Sequence, residues 1–243
     1  MIKNNYMIAD RVVCVDSLYD EVHDYCRDYL TDKEAEYTVI TDKSDIDSER
    51  QRSANEDRFE GRPVQVYSDS YLEELAVYRK IAEKMLDFDT VLFHGSVVAV
   101  DGVGYLFTAK SGTGKSTHTR LWREYFGSRA VMGNDDKPLL RISESGVTAF
   151  GTPYNGKHRL GANISVPLKA ICILTRAAEN SIVPISAVEA YPMLIQQIYR
   201  PSDMAKMQKT LTLADMLAEQ TALYRLGCNM DISAAVTAYE GMR

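Results

Sequence analysis

The chain lacks the features of several protein classes. No apolar run approaches the ~18 residues needed to span a membrane. Met1 to Asn5 is polar, and Met7 to Val15 is interrupted by Asp10 and Arg11, so no secretory leader is legible. There is no excess of positive charge: 28 Lys and Arg stand against 34 Asp and Glu, a net charge of −6. That argues against nucleic acid or an anionic membrane as partner, since both need a basic face. The four cysteines, Cys14, Cys26, Cys172 and Cys228, lie far apart with no C-x-x-C spacing. Three sit inside apolar patterns, which points to buried thiols rather than metal ligands or disulfides. Neither an internal repeat nor a low-complexity linker is visible, and the expected compartment is the cytoplasm.

At 243 residues, 45% of them hydrophobic and 26% charged, the chain is long enough to bury a sizeable core. One stretch organises it: Ala109-Lys110-Ser111-Gly112-Thr113-Gly114-Lys115-Ser116. An apolar segment, Val103 to Thr108, precedes it and a helical pattern, Ser116 to Phe126, follows. Strand, glycine-rich turn, Lys-Ser and helix form the context of a phosphate-binding loop, whose backbone N–H groups and helix start face phosphate oxygens. In that arrangement Lys115 reaches the β- and γ-phosphates and Ser116 holds Mg²⁺, with Ser111, Gly112, Thr113, Gly114 and Thr117 completing the nucleotide site. Ala109 stands where the usual pattern has glycine, so the backbone there should be ordinary β. The bland alternative is a surface turn.

Periodicity gives the remaining elements. Tyr6 to Val15 reads as a strand, and Ser17 as the cap of a helix reaching Leu30. Tyr37 to Thr41 is a short strand, and Asp42 to Arg62 an exposed polar loop. Val64 to Tyr67 is a candidate strand. A strong helix begins at Asp69 or Ser70, followed by a strand at Val91 to Phe93. Asp101-Gly102 between apolar runs signals a hairpin, so the strand feeding the loop should pair antiparallel with its predecessor. Gly127 suits a helix end. Strands follow at Arg129 to Met132, Pro138 to Ile142, Val147 to Phe150, Leu168 to Leu174 and Leu223 to Cys228. Helices follow Ser186 (with Pro192 kinking or restarting it), Ser202 and Asp231.

Asp135 and Asp136 end a strand downstream of the loop helix, where an acid commonly holds the nucleotide's metal and a second can accept a proton. Asn-Asp-Asp is also good turn composition. His94 ends a strand before Gly95; a lone histidine is more often structural than catalytic. Lys157, His158, Arg159 and Arg200 are cations that could clamp phosphate or an anionic acceptor, or could be solvated surface. His118 and Trp122 suit packing or the neighbourhood of a nucleobase.

The ordered set His94-Gly95, Ser111-Gly112-Thr113-Gly114-Lys115-Ser116 and Asp135-Asp136 resembles the HPr kinase/phosphorylase family, within the class that includes ATP-dependent phosphoenolpyruvate carboxykinases. The resemblance covers roughly residues 90–240. It implies an α/β fold: a mixed β-sheet P-loop kinase core with flanking helices. It also implies ATP and Mg²⁺, catalysis by Asp135 or Asp136 assisted by His94 and Lys115, and metal held by Ser116 and Asp136. The expected organisation is one kinase domain over 1–243, with residues 1–88 an α/β portion packed on the catalytic core at 89–243. The chain departs from the family at Ala109, in its length, in residues 1–88 and in residues 151–157, where a Glu before Arg-Gly-Leu-Gly is replaced by Gly-Thr-Pro-Tyr-Asn-Gly-Lys.

The expected activity is transfer of the ATP γ-phosphate to an alcohol: a small molecule such as serine or a polyol, or a serine of a peptide or protein. Homo-oligomerisation follows only from family analogy. A nucleotide-binding sensor, or an NTPase with a protein partner, is the main alternative, though a pure sensor has no need of the Asp-Asp pair and His94. A carboxykinase-like lyase would need a second metal site and carboxylate-binding arginines, and the sequence displays no such cluster.

Overall fold

The computed structural model describes residues 2–59, 61–156 and 158–243. The chain divides into two compact units, Met1–Lys84 and Met85–Arg243.

In the first unit the single strand expected over Tyr6 to Val15 is a hairpin. Strands β1 (Ile2–Ile8) and β2 (Arg11–Ser17) pair antiparallel, and β3 (Tyr37–Ile40) joins β2 in parallel. The turn rests on Ala9 and Asp10, both with positive φ (47° and 57°). A two-residue hairpin demands that conformation, but without a glycine there the turn leaves little trace in the sequence. The helix expected after Ser17 shortens to α1 (Glu21–Tyr25) and a 3₁₀ turn at Arg27–Tyr29. Ser17 does not cap it; its buried hydroxyl donates to the Tyr19 carbonyl.

The polar tract expected as a loop is the helix α2 (Lys43–Phe59). Polarity had masked it, but residues 43–59 contain no glycine or proline, and Asp42 accepts the N–H groups of Ser44 and Asp45. Buried Glu49 binds both Nε and Nη2 of Arg79 on α3 (Asp69–Met85). Val64 to Tyr67 forms no strand.

The second unit holds a mixed sheet that is nine-stranded among the described residues. Its strands are β4 (Thr90–Leu92), β5 (Ser96–Val100), β6 (Val103–Thr108), β7 (Ala130–Asn134), β8 (Leu139–Ser143), β9 (Gly146–Phe150), β10 (Ser165–Arg176), β11 (Ser181–Pro184) and β12 (Ala222–Cys228). The main path runs β4-β8-β9-β10-β6-β5-β7, with β12 on β10 and β11 on β12. The β5–β6 hairpin turns on Asp101 and Gly102, both with positive φ. Strand β6 is antiparallel to β5 as expected, and also parallel to β10, which is parallel to β12. Strand β10 runs longer than expected because its first half alternates exposed and buried residues while its second half is mostly buried. Strand β11 had not been anticipated.

Helices α4 (Lys115–Phe126), α5 (Ala187–Gln197), α6 (Met204–Gln220) and α7 (Ser233–Met242) cover the sheet. Pro192 lies inside α5 without dividing it, and the cap of α6 is Asp203 rather than Ser202. Asp231 accepts the Ser233 N–H, although Ile232 occupies the cap position of α7. Strand residues alternate between two cores. Val97, Ala99, Leu106, Ile171 and Ile173 pack with Leu194 and Leu217 of α5 and α6. Val98, Val100, Tyr105, Phe107 and Cys172 pack with Trp122 of α4 and Ala235 of α7. Because both faces are covered, the central strands are apolar throughout.

Gly151 opens the segment that follows β9. A Cβ there would stand 1.9 Å from the Ala162 carbonyl oxygen and 2.8 Å from that of Gly133, both backbone. Gly151→Ala should therefore destabilise the chain by about 3 kcal/mol or more, measured by urea denaturation.

Candidate functional site

The glycine-rich loop starts where β6 ends. Ala109 is buried, belongs to the core beneath α4, and is not among the residues with positive φ. The position therefore has no need of glycine. Gly112 and Gly114 do have positive φ, 74° and 123°, with open space around Gly112. Backbone conformation, not crowding, selects glycine there. Thr113 N–H donates to the Lys110 carbonyl, and His118 N–H to that of Gly114, which starts α4. Arg176, at the end of β10, donates to the carbonyls of Gly112 (2.5 Å) and Thr113 (3.4 Å). In a planar trans peptide the carbonyl and the next N–H point opposite ways. Fixing the Thr113 carbonyl on Arg176 thus turns the Gly114 N–H away from it. Ser111 and Ser116 are exposed, while Thr113, Lys115 and Thr117 are half-buried.

The acidic pair is held by Asn134, the last residue of β7. Its Oδ1 accepts the N–H groups of Asp136 (2.9 Å) and Lys137 (2.7 Å), and its Nδ2 donates to Thr152 Oγ1 (2.9 Å). The turn suggested by Asn-Asp-Asp thus exists, and it is what presents the two carboxylates. Asp136 Oδ1 lies 3.3 Å from His94 Nε2, and its Oδ2 lies 3.9 Å from Lys137 Nζ. The Asp136 carbonyl accepts the Gly95 N–H at 3.0 Å. Ser96 Oγ donates to the Asp135 carbonyl (3.0 Å) and approaches its Oδ1 (3.3 Å). The Ser116 hydroxyl lies near enough to the Asp135 carboxylate to favour its charged form.

Adjacent carboxylates in unlike surroundings titrate apart. Burial raises the Asp135 carboxyl above its ordinary value, and the hydrogen bonds from Ser96 and Ser116 only partly oppose that. Burial pushes Asp136 the same way, but His94, Lys137 and Lys115 outweigh it and hold that carboxyl below its ordinary value. Burial lowers the Lys115 ammonium, while Asp136 and Asp135 pull it back up. Loop, lysine and both acids therefore share one electrostatic site.

The expected clamp residues are less closely tied to it. Lys157 lies outside the described residues. Arg159 is exposed with a φ of 48°. Gly156 does reach the acids: a Cβ there would stand 3.5 Å from Asp136 Cβ and 3.9 Å from Asp135 Cβ. Arg200 is exposed. Gln197 carbonyl accepts the His94 N–H, and Tyr199 N–H donates to the Leu92 carbonyl. Past Gln197 the chain thus pairs antiparallel with the Leu92–Phe93 segment. His118 and Trp122 are buried, and the indole N–H donates to His118 Nε2 at 3.0 Å. Burial lowers the His118 ring to about 4, so it is neutral near pH 7.

A family model described as SynChlorMet cassette protein ScmC matches residues 71–231, about two thirds of the chain. The chain belongs to this family. The match takes in the whole loop, both acids, His94 and Arg176. No curated protein matches the ScmC-family chain. Among solved structures it is similar to the Hpr(Ser) kinase/phosphatase from Coxiella burnetii, at 8% identity and a TM-score of 0.36, covering 61% of this chain and 94% of that one. That likeness is too distant to assign an activity. Among the described residues no helix is long and apolar enough to cross a membrane.

Sequence reasoning on this ScmC-family chain had not singled out Asn134, Ser96 or Arg176. Asn134 offered a signal in the Asn-Asp-Asp run; Ser96 and Arg176 offered none beyond lying at strand ends. The opposed shifts of the two acids give opposite trends with pH. Asp136 stabilises the fold above the usual carboxylate range and loses that contribution as pH falls through its depressed value. Asp135 is disfavoured as an anion in the fold, so its penalty is present near neutral pH and vanishes in acid. Near neutral pH, Asp136→Asn should lower the melting temperature and Asp135→Asn should raise it. Both differences should shrink when melting is repeated below the carboxylate range.

Proposed function

We propose that this chain is a Mg·ATP-dependent kinase that transfers the γ-phosphoryl group to an alcohol hydroxyl of serine type. The observation that carries this is the convergence of the Lys115–Ser116 helix start on two adjacent carboxylates, Asp135 beside Ser96 and Asp136 3.3 Å from His94 Nε2. The glycine loop and the start of α4 suit the phosphates of the donor.

Hard oxygen donors from Ser116 and the Asp135 carboxylate fit Mg²⁺. The proximity of Ser116 to Asp135 favours Asp135 over Asp136 for that role. Bound there, the ion would offset charge on the phosphate oxygens. Asp136, kept ionised by His94 and Lys137, accepts the proton of the acceptor hydroxyl. His94 orients that carboxylate through Nε2. Lys115 follows the moving phosphoryl group with its positive charge. Most of the rate enhancement comes from positioning and electrostatics.

The acceptor is a small alcohol or a serine of a peptide or protein, and the Gly156 segment over the acids borders the space it would enter. The test is ³¹P NMR of Mg·ATP with free serine, threonine, sugars, inositol, a serine peptide and HPr. A new phosphomonoester signal is expected with one acceptor. Lys115→Ala should reduce its rate about 10²–10³-fold, the cost of losing one charge-stabilising group. Asp136→Asn should reduce it about 10²–10⁴-fold through loss of the base. Undiminished transfer by Lys115→Ala would sink the proposal. Nucleotide binding without turnover on any acceptor would favour a sensor.

A further inference from the structure

A cleft of about 510 Å³ lies against the glycine-rich loop. Its walls are loop residues Gly112 to Gly114, the first turn of α4 with His118, the end of β10 with Leu174 and Ala177, and the segment after β12 with Met230. None of Asp135, Asp136 or His94 lines it. An alcohol bound in this cleft would not meet the base, so the cleft does not suit the acceptor. Its volume lies within the roughly 300–1,000 Å³ range of small-molecule sites, and Leu174, Ala177 and Met230 give it the apolar surface a flat ring needs.

Two further observations bear on what enters. Asn229, also in the wall, has its side chain committed to bracing. Its Nδ2 donates to the Ala178 carbonyl at 3.0 Å and its Oδ1 accepts the Asp231 N–H at 3.0 Å. It shapes the wall without being free to read a ligand. His118 is 2% exposed. Because its Nε2 accepts the indole N–H of Trp122, the ring proton sits on Nδ1. Among the described residues that Nδ1 has no hydrogen-bond partner. An unsatisfied buried donor is costly, and a ligand with an acceptor atom would remove that cost. Nucleobases carry such acceptors as ring nitrogens and carbonyl oxygens.

We infer that this cleft receives the nucleoside of a nucleoside triphosphate whose phosphates lie on the glycine loop, with His118 donating to the base. The assignment rests on the loop's proposed role as a phosphate site. Arg176 would then serve both ends of the ligand, as part of the cleft wall and as the anchor of the loop carbonyls.

The test separates nucleoside from phosphate. Isothermal titration of the full chain with Mg·ATP and with Mg·tripolyphosphate compares ligands that share the phosphates and differ in the nucleoside. Wild type should bind ATP at least about tenfold more tightly. Ala177→Phe, at an exposed position of the wall, should erase that advantage and leave tripolyphosphate binding within about twofold. His118→Phe should weaken ATP by about tenfold with the same small effect on tripolyphosphate. Equal binding of the two ligands by wild type would overturn the assignment. So would an ATP advantage that survives in Ala177→Phe. If wild type binds neither ligand, the phosphate role of the loop falls, and this assignment with it.

Discussion

The geometry of the site depends on the burial of one face of α4 against the sheet. Trp122 is fully buried, with its ring centroid 5.1 Å from Phe107 of β6 and 5.0 Å from Tyr105. Phe126 and Tyr239 close the cluster from α4 and α7. Large aromatic surfaces packed this way fix the helix on the strand that precedes it. The loop between them has only the six residues 109–114 in which to turn, so fixing both ends fixes its course. Arg176 then holds its carbonyls from a third element. A loop secured at three places is pre-organised.

The acidic pair is secured in the same manner from the other side of β5. Asn134 sets the backbone of both acids and reaches Thr152, while Ser96 and Gly95 bind them from the edge of the neighbouring strand. The hydrogen bonds are local, but they join segments far apart in sequence. What distinguishes Asp135 from Asp136 is not their chemistry but their surroundings: burial prevails over the hydroxyl neighbours at Asp135, whereas His94 and Lys137 help outweigh burial at Asp136. Two identical side chains acquire oppositely shifted carboxyl pKa values through placement alone.

Much of the second unit was legible because its local signals agree. The Asp101-Gly102 turn, the glycine-lysine loop, Gly127 and the Ser186 cap each have a sequence form tied to one backbone geometry. The first unit was read poorly because its signals conflict. Ala9-Asp10 adopts a turn that glycine or asparagine would have advertised. Residues 43–59 form a helix that buries a carboxylate on Arg79 instead of displaying an apolar stripe. Periodicity of hydrophobic residues cannot reveal a helix held by an ion pair.

The sequence by itself determined the glycine-rich loop, the adjoining strand and helix, and the presence of two acids and a histidine at strand ends. These follow from steric limits on φ and from short-range periodicity, which act within a few residues. Tertiary structure alone decided that Ser96 meets Asp135, that His94 meets Asp136, and that Arg176 grips the loop from 60 residues or more away. Such contacts depend on strand order and register, which are set by how the whole sheet packs between its helices.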